Sequence, residues 1–430
     1  MRTSSLTTLP LAVAVAVIVV AAVVRLQQSV PPSSATASSA TVTSLASGGQ
    51  VATSGLDAAL RSPAPPPDLA RDGVEASVHH GPRMYHGGPR HQHRGFARGP
   101  ARVLVRWRTN VGAAVSAQVT TSPDEQTLYA VTHDGSLLAL SRADGTRRWQ
   151  VALGERVYSA PLVHDDGTIY VGSDAKKLLS VTKDGAVTWR LEVDGEIDGG
   201  PVLGKDGSIV FAAGPNVYSV RRGGDLAWRF ATKGKVYTSP AITDDGLVVF
   251  GAQDHHVRAL TSSGVLVWDV DLGADVDGSP AIGDDGFIHV GTDKGEVVRL
   301  DAKGAIAWRT PIGGFVRGGL SIARNGDVLA GTYGPIPRVV RLGPDGAIRG
   351  AFAIQGTGAK EFGIHGGPLE AADGVLFFGA QDDAVRAVGT EGTELWRFPM
   401  GADVDAPVTM LDDGSLVVAA EDGTIAMLLP

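Results

Sequence analysis

One phrase recurs through most of this chain: Ala-Leu, three residues, Asp-Gly, three residues, Trp, first met at Ala139, Leu140, Asp144, Gly145 and Trp149. The Gly-to-Trp spacing returns at Gly185 and Trp189, Gly224 and Trp228, Gly264 and Trp268, Gly304 and Trp308, and Gly392 and Trp396. One further copy, starting at Gly346, carries Gly350 in the Trp slot. An interval of about 40 residues, filled with short alternating strands and Asp-Gly turns, is the signature of a β-propeller rather than a helical solenoid.

Each unit reads as four antiparallel strands, A to D. In the second, the spacing predicts strand A over residues 157–163, B over 168–172, C over 177–181 and D over 186–191. Gly supplies the positive φ that the tight hairpins between them need. The strand-A signals are Val115, Val157, Ile197, Val236, Val276, Val316, Ile364 and Val404, which makes eight blades. After Val404 the chain has room for strands B and C but ends at Pro430, while Trp107 sits in a strand-D copy, residues 103–108, with no A, B or C before it. The expectation is an all-β, eight-bladed propeller of four-stranded blades over residues 101–430, whose last blade is closed by the N-terminal strand of the domain. Such closure removes open sheet edges. The Trp residues, all at one repeat position, are expected to wedge between blades, each indole N–H finding one backbone acceptor. The Asp-Asp-Gly runs at 165–167, 244–246, 284–286 and 412–414 read as hairpin turns, because they lack the ligand density of a calcium loop.

The repeat, with its Gly-x-Val-x-x-x-Pro and Tyr-Val-Gly-Ser-Asp continuations, resembles the pyrroloquinoline-quinone-type propeller repeat. That group includes quinoprotein alcohol dehydrogenases and the propeller lipoprotein of the outer-membrane β-barrel assembly machinery. The dehydrogenase branch implies a quinone held over calcium, a vicinal Cys pair and a catalytic Asp. This chain has no Cys, and no calcium ligands are carried over, so neither cofactor nor metal is expected. The lipoprotein branch implies a non-enzymatic scaffold whose loops hold a partner, although a lipoprotein also needs a Cys after its signal.

The segment before the repeat differs in kind. Arg2 precedes an apolar run over residues 9–24 that Arg25 closes, so residues 1–25 read as a signal peptide or signal anchor. The run is slightly short for a span of about 20 residues, and small-residue cleavage sites nearby are poor, which favours an uncleaved anchor. Residues 26–100, first rich in Ser, Ala and Pro and then in Gly, Arg and His, show no apolar periodicity and read as a disordered tether. Its His79, His80, His86, His91 and His93, interleaved with Arg83, Arg90, Arg94 and Arg98, read as a solvated basic linker with no fixed metal geometry. The net charge of −8 argues against nucleic-acid binding.

In a propeller the scaffold positions repeat, so a functional surface should show where a repeat position varies. The residue three before the strand-A Pro, allowing for Val119 and Leu320 in place of Pro and for a one-residue deletion after Asp405, is Ser116, Tyr158, Asp198, Tyr237, Asp277, Arg317, His365 and Asp405 in successive blades. These side chains are expected to ring one mouth of the central channel as a ligand site. The competing account has the Asp residues capping their own Gly199 and Gly278 turns around a water-filled channel. Blade 6 adds two irregular loops that chain direction places on the same face, with Tyr333, Pro335 and Pro337 in one and Lys360, Glu361 and Phe362 in the other. No catalytic triad or paired-carboxylate motif stands out. The expected protein is an exported, membrane-tethered, monomeric and non-catalytic scaffold for an envelope protein partner. The alternative is a quinone-dependent dehydrogenase or small-ligand sensor.

Overall fold

The computed structural model describes residues 82–359 and 362–430, all within one compact unit spanning 74–430. The apolar run of residues 9–24, His79, His80, Lys360 and Glu361 lie outside the described residues. Eight four-stranded sheets form the blades of a β-propeller, seven of them built in chain order from the inside outwards. Blade 2 is representative, with strands Leu162–Val163, Ile169–Ser173, Lys177–Val181 and Val187–Glu192. Strand A is much shorter than the expected 157–163. Its first half bonds sideways to the next blade instead of to strand B: Ser159 Oγ donates to Gly199 O at 3.2 Å, and Gly200 N donates to Ser239 Oγ at 2.8 Å.

Blade 8 contains Thr409–Met410, Leu416–Ala419 and Thr424–Leu428, and its outer strand is Val105–Asn110, paired antiparallel to Thr424–Leu428. The two ends of the domain therefore share one sheet. The core lies between blades, where Tyr170, Phe211 and Phe250 are almost fully buried and Trp189 and Trp228 pack against them. Six of the seven indole N–H groups reach a carbonyl of the following blade, as in Trp149 to Lys183 O at 2.9 Å and Trp189 to Arg222 O at 2.9 Å. Gly185 shows why the Asp-Gly turn carries glycine: its φ is +87°, and a Cβ there would meet the ring of Trp149 at 3.0 Å.

Residues 82–100 correct the reading of the whole 26–100 segment as a disordered tether and a solvated linker. They make one lap around the inner rim of the channel on the Asp-Asp-Gly face, blade by blade. The carbonyls of Pro82 and Arg83 accept from Thr121 N in blade 1 and Val163 N in blade 2. Met84 enters the hydrophobic cluster of blade 3, and Pro89, Arg90, Gln92 and His93 accept from the inner strands of blades 4, 5, 6 and 7. Arg83 pairs with Asp165, Arg90 with Asp244 and Asp284 at 3.2 and 3.0 Å, and Arg94 with Asp284 at 2.7 Å. The lap needs no apolar periodicity of its own, because inner-strand N–H groups and turn carboxylates supply its partners. His86, His91 and His93 are buried, with Tyr85, His86 and His93 stacked at 4.0 and 4.1 Å between centroids. Room for this stack comes from small residues, since a Cβ on Gly319 would collide with both Tyr85 and His86.

Candidate functional site

The lap closes one end of the channel, and the other end is a bowl of about 880 Å³ with Tyr85 in its floor. All eight positions singled out from the repeat, Ser116, Tyr158, Asp198, Tyr237, Asp277, Arg317, His365 and Asp405, line it. They converge because each stands four residues before its strand A, at the same height on the axis.

A second ring, which sequence reasoning missed, stands outside the first. The residue closing the B–C hairpin of one blade meets the ring residue of the next. His133 packs on the Tyr158 ring at 4.7 Å, Gln253 donates to Asp277 at 3.5 Å, and Gln381 donates to Asp405 at 3.2 Å. Asp293 accepts from Arg317 Nη2 at 2.8 Å, and Tyr333 hydrogen-bonds His365 Nδ1. Thus Arg317 pairs with Asp293 and His365 with Tyr333, each partner coming from the hairpin of the preceding blade. The hairpin residues recur about every 40 positions, so the same search applied to the end of strand B would have found them. Glu196, Lys235 and Asp403 also line the bowl. Each stands two residues before a ring residue, on the same face of an extended segment.

Blade 6 departs from the pattern as the sequence suggested, and Tyr333 occupies the hairpin position of the second ring. Its backbone bridges Phe315 and Gly363. The Gly334 N–H donates to Phe362 O at 2.9 Å, and Ile354 N donates to Pro337 O at 3.0 Å, so the two loops brace each other. Pro337 is buried, Phe362 is half-buried against the blade-7 core, and Pro335 and Ile336 are exposed at the tip. Tyr333 backs His365, and none of the described loop residues lines the bowl itself.

Electrostatically the bowl is acidic. Asp174, Glu196, Asp198, Asp277, Asp403, Asp405 and Glu421 line it against Lys235 and Arg317, and both cations are already paired. Lys235 Nζ lies 2.6 Å from Glu196 and 3.3 Å from Asp198, over the Tyr237 ring. Burial works against its charge, but these two carboxylates outweigh it and raise the ammonium pKa. Burial, followed by Asp198 and Glu196, pushes Asp174 up to about 6. Burial and Asp293 push Asp277 up to about 6, and burial with Asp405 pushes Asp403 up to about 6. Burial and the neighbouring Asp405 and Asp403 push Glu421 up to about 7. Asp174, Asp277 and Asp405 each keep one buried carboxylate oxygen with no hydrogen-bond partner. Asp198 and Asp277 turn to Lys235 and Gln253, not to the N–H groups of Gly199 and Gly278 as the turn-capping account required.

Fold and site together define an eight-bladed propeller with a blind, acid-lined bowl on its axis. The family model described as outer membrane protein assembly factor BamB matches residues 104–196, 177–268 and 253–334, and the chain belongs to this family of PQQ-type propeller repeats. Among solved structures, BamB from Moraxella catarrhalis superposes with a TM-score of 0.64 at 15% identity, over 76% of this chain and 100% of that one. Quinohemoprotein alcohol dehydrogenase from Comamonas testosteroni gives 0.68 at 13%, over 81% and 80%. A europium-containing methanol dehydrogenase gives 0.64 at 13%, over 79% and 89%. At these identities the likeness is one of fold. No curated protein matches the chain in sequence.

The residues here do not fit the quinone of the dehydrogenase branch. The vicinal Cys pair that the resemblance implies is absent, and the bowl offers seven carboxylates against two cations that are already paired. Among the described residues no group of three or more His, Asp or Glu is arranged to hold a metal.

Proposed function

We propose that this chain is an exported, envelope-tethered binding propeller that holds a cationic segment of a protein partner in the bowl, without catalysis. The observation that carries the reading is charge: seven carboxylates, three with unpartnered buried oxygens, surround a cavity whose two cations are already neutralised. A Lys- or Arg-bearing segment would relieve that repulsion and meet Tyr158 and Tyr237 as it entered. The blade-6 loops, whose Tyr333 backs His365 and whose Pro335 and Ile336 are exposed, would form the flanking edge of the contact. Membership of an assembly-factor family supports a scaffold role and an envelope location, and the apolar run of residues 9–24 supports export with a membrane tether.

The test is capture of envelope proteins on the immobilised full chain, comparing Asp277→Ala/Asp405→Ala in the bowl with Asp206→Ala on the opposite face. Capture lost only with the bowl pair supports the reading, whereas capture lost only with Asp206→Ala would place the interface on the other side. Dye-linked oxidation of alcohols or sugars by the chain supplied with quinone and calcium would favour the dehydrogenase alternative.

A further inference from the structure

The three histidines of the lap are buried, and neither ring nitrogen of His86 has a hydrogen-bond partner, so a proton added there would be poorly solvated. His86 stacks between Tyr85 and His93, and His91 stands edge-on at 6.4 Å from His86. Gln118, Gly319 and Gly367 close around the stack, with Gln118 Oε1 accepting from the His86 backbone N–H. His91 Nδ1 lies 2.9 Å from Pro280 O, while both His93 ring nitrogens face carbonyls, Gly367 O at 2.8 Å and Val408 O at 2.9 Å. Among the described residues the titratable groups against His86 are Tyr85, His91 and His93, and no carboxylate hydrogen-bonds to any of the three imidazoles. The rim carboxylates Asp165, Asp244 and Asp284 are engaged with Arg83, Arg90 and Arg94; Lys205 and Asp412 also stand around the lap, as do Arg324 and Glu370, which pair with each other at 3.2 Å while the Glu370 backbone bonds to His93 and Gly95.

We propose that residues 82–98 are an acid-releasable plug: protonating His86, His91 and His93 frees the lap from the axis, removes Tyr85 from the bowl floor, and opens the blind bowl into a through-channel. The inference rests on the contacts of the lap and stands whether or not the bowl holds a cationic segment. Burial drives the pKa of His91 and of His93 down to about 4, carbonyl contacts opposing it, and His86 well below its ordinary value through burial and then the neighbouring His93 and His91. A histidine whose pKa is lowered in the packed state costs nothing above its free value. It favours release progressively as pH falls from about 6.5 to about 4, by on the order of a hundredfold for each such group at pH 4.5.

Release is local because the blades do not need the lap to close. Their ring is completed by the pairing of Val105–Asn110 with Thr424–Leu428. The raised carboxylates of the bowl take up protons over the same range and favour the folded ring as pH falls. On release, the inner-strand N–H groups of blades 1, 2 and 4 to 7 turn to water.

Hydrogen exchange of the full chain between pH 7 and pH 4, corrected for the intrinsic pH dependence of exchange, tests this. Peptides covering 82–98 should lose protection by on the order of a hundredfold or more on going from pH 6.5 to 4.5, while strand peptides of the blades change little. In His93→Gln the loss should be shallower by about one histidine's share. A lap that stays protected until the blades open, or one that opens with the same pH dependence in His93→Gln as in the natural chain, overturns the proposal. Should His93→Gln fail to fold, the exchange profile of the natural chain decides alone.

Discussion

Trp396 Nε1 donates to Pro100 O at 2.7 Å. Every other indole in the ring bonds to the C–D turn of the following blade, but blade 8 takes its outer strand from the N-terminal end of the domain, so Trp396 finds the carbonyl of the chain on its way in. The lap, the shared blade and the wedge ladder thus meet at one point.

Wedge removal should be costly. Trp189→Ala is expected to destabilise the fold by about 3 kcal/mol, the low end for aromatic truncation because the indole is half-buried. Equilibrium urea unfolding measures it, and an unchanged midpoint would show that the wedges do not hold the blades.

The reverse substitution should help. Gly350 occupies the wedge slot of blade 6, a Cβ there meets nothing within 4 Å, and the turn glycine it would cover, Gly392, is likewise open. Gly350→Trp is expected to add about 1 kcal/mol of stability, with the Thr390 carbonyl as the indole acceptor. A lower unfolding midpoint would mean that this slot is closed to a ring.

Truncations should separate the two closures. Removing residues 82–98 is expected to lower the melting temperature while leaving the eight blades folded. Removing residues 103–108 should open the edge of Thr424–Leu428 and cause aggregation. Light scattering and circular dichroism distinguish these outcomes.

The bowl acids should report a bound cation through protons. With Asp174, Asp277 and Asp403 near 6 and Glu421 near 7, part of the bowl is protonated at pH 6. Binding of a Lys- or Arg-rich peptide should then release protons, so that calorimetric enthalpies at pH 6 differ between buffers of different ionisation heat. The difference should vanish near pH 8.5, where these groups are already ionised.

Neutral isosteres in the bowl have a definite sign as well. A carboxyl whose pKa is raised on folding costs stability above that raised value and nothing below its unfolded value near 4. Glu421→Gln should therefore raise the melting temperature at pH 8 and lose that advantage progressively as pH falls from about 7 towards 4. A melting temperature at pH 8 that fell would show that the carboxylate is stabilised in the fold.

The sequence by itself determined the architecture, because a propeller writes its rules into each repeat. Asp-Gly turns, alternating strands and a Trp four residues after all but one of the turn glycines carry the local geometry, and the lone strand-D copy around Trp107 marks the strand that pairs with Thr424–Leu428 to close the last blade. It also placed the eight ring residues in one mouth, since a fixed repeat position becomes a fixed height on the axis. What tertiary structure decided was everything that crosses between blades. The partners of Arg317 and His365 come from the hairpin of the preceding blade, a contact that repeat position brings about but that only the rotation between blades reveals. The clearest case is the Gly-, Arg- and His-rich run from Pro82 to Arg98. It has no periodicity because its partners are inner-strand N–H groups and turn carboxylates contributed one blade at a time, and such a pattern exists only once the ring has closed.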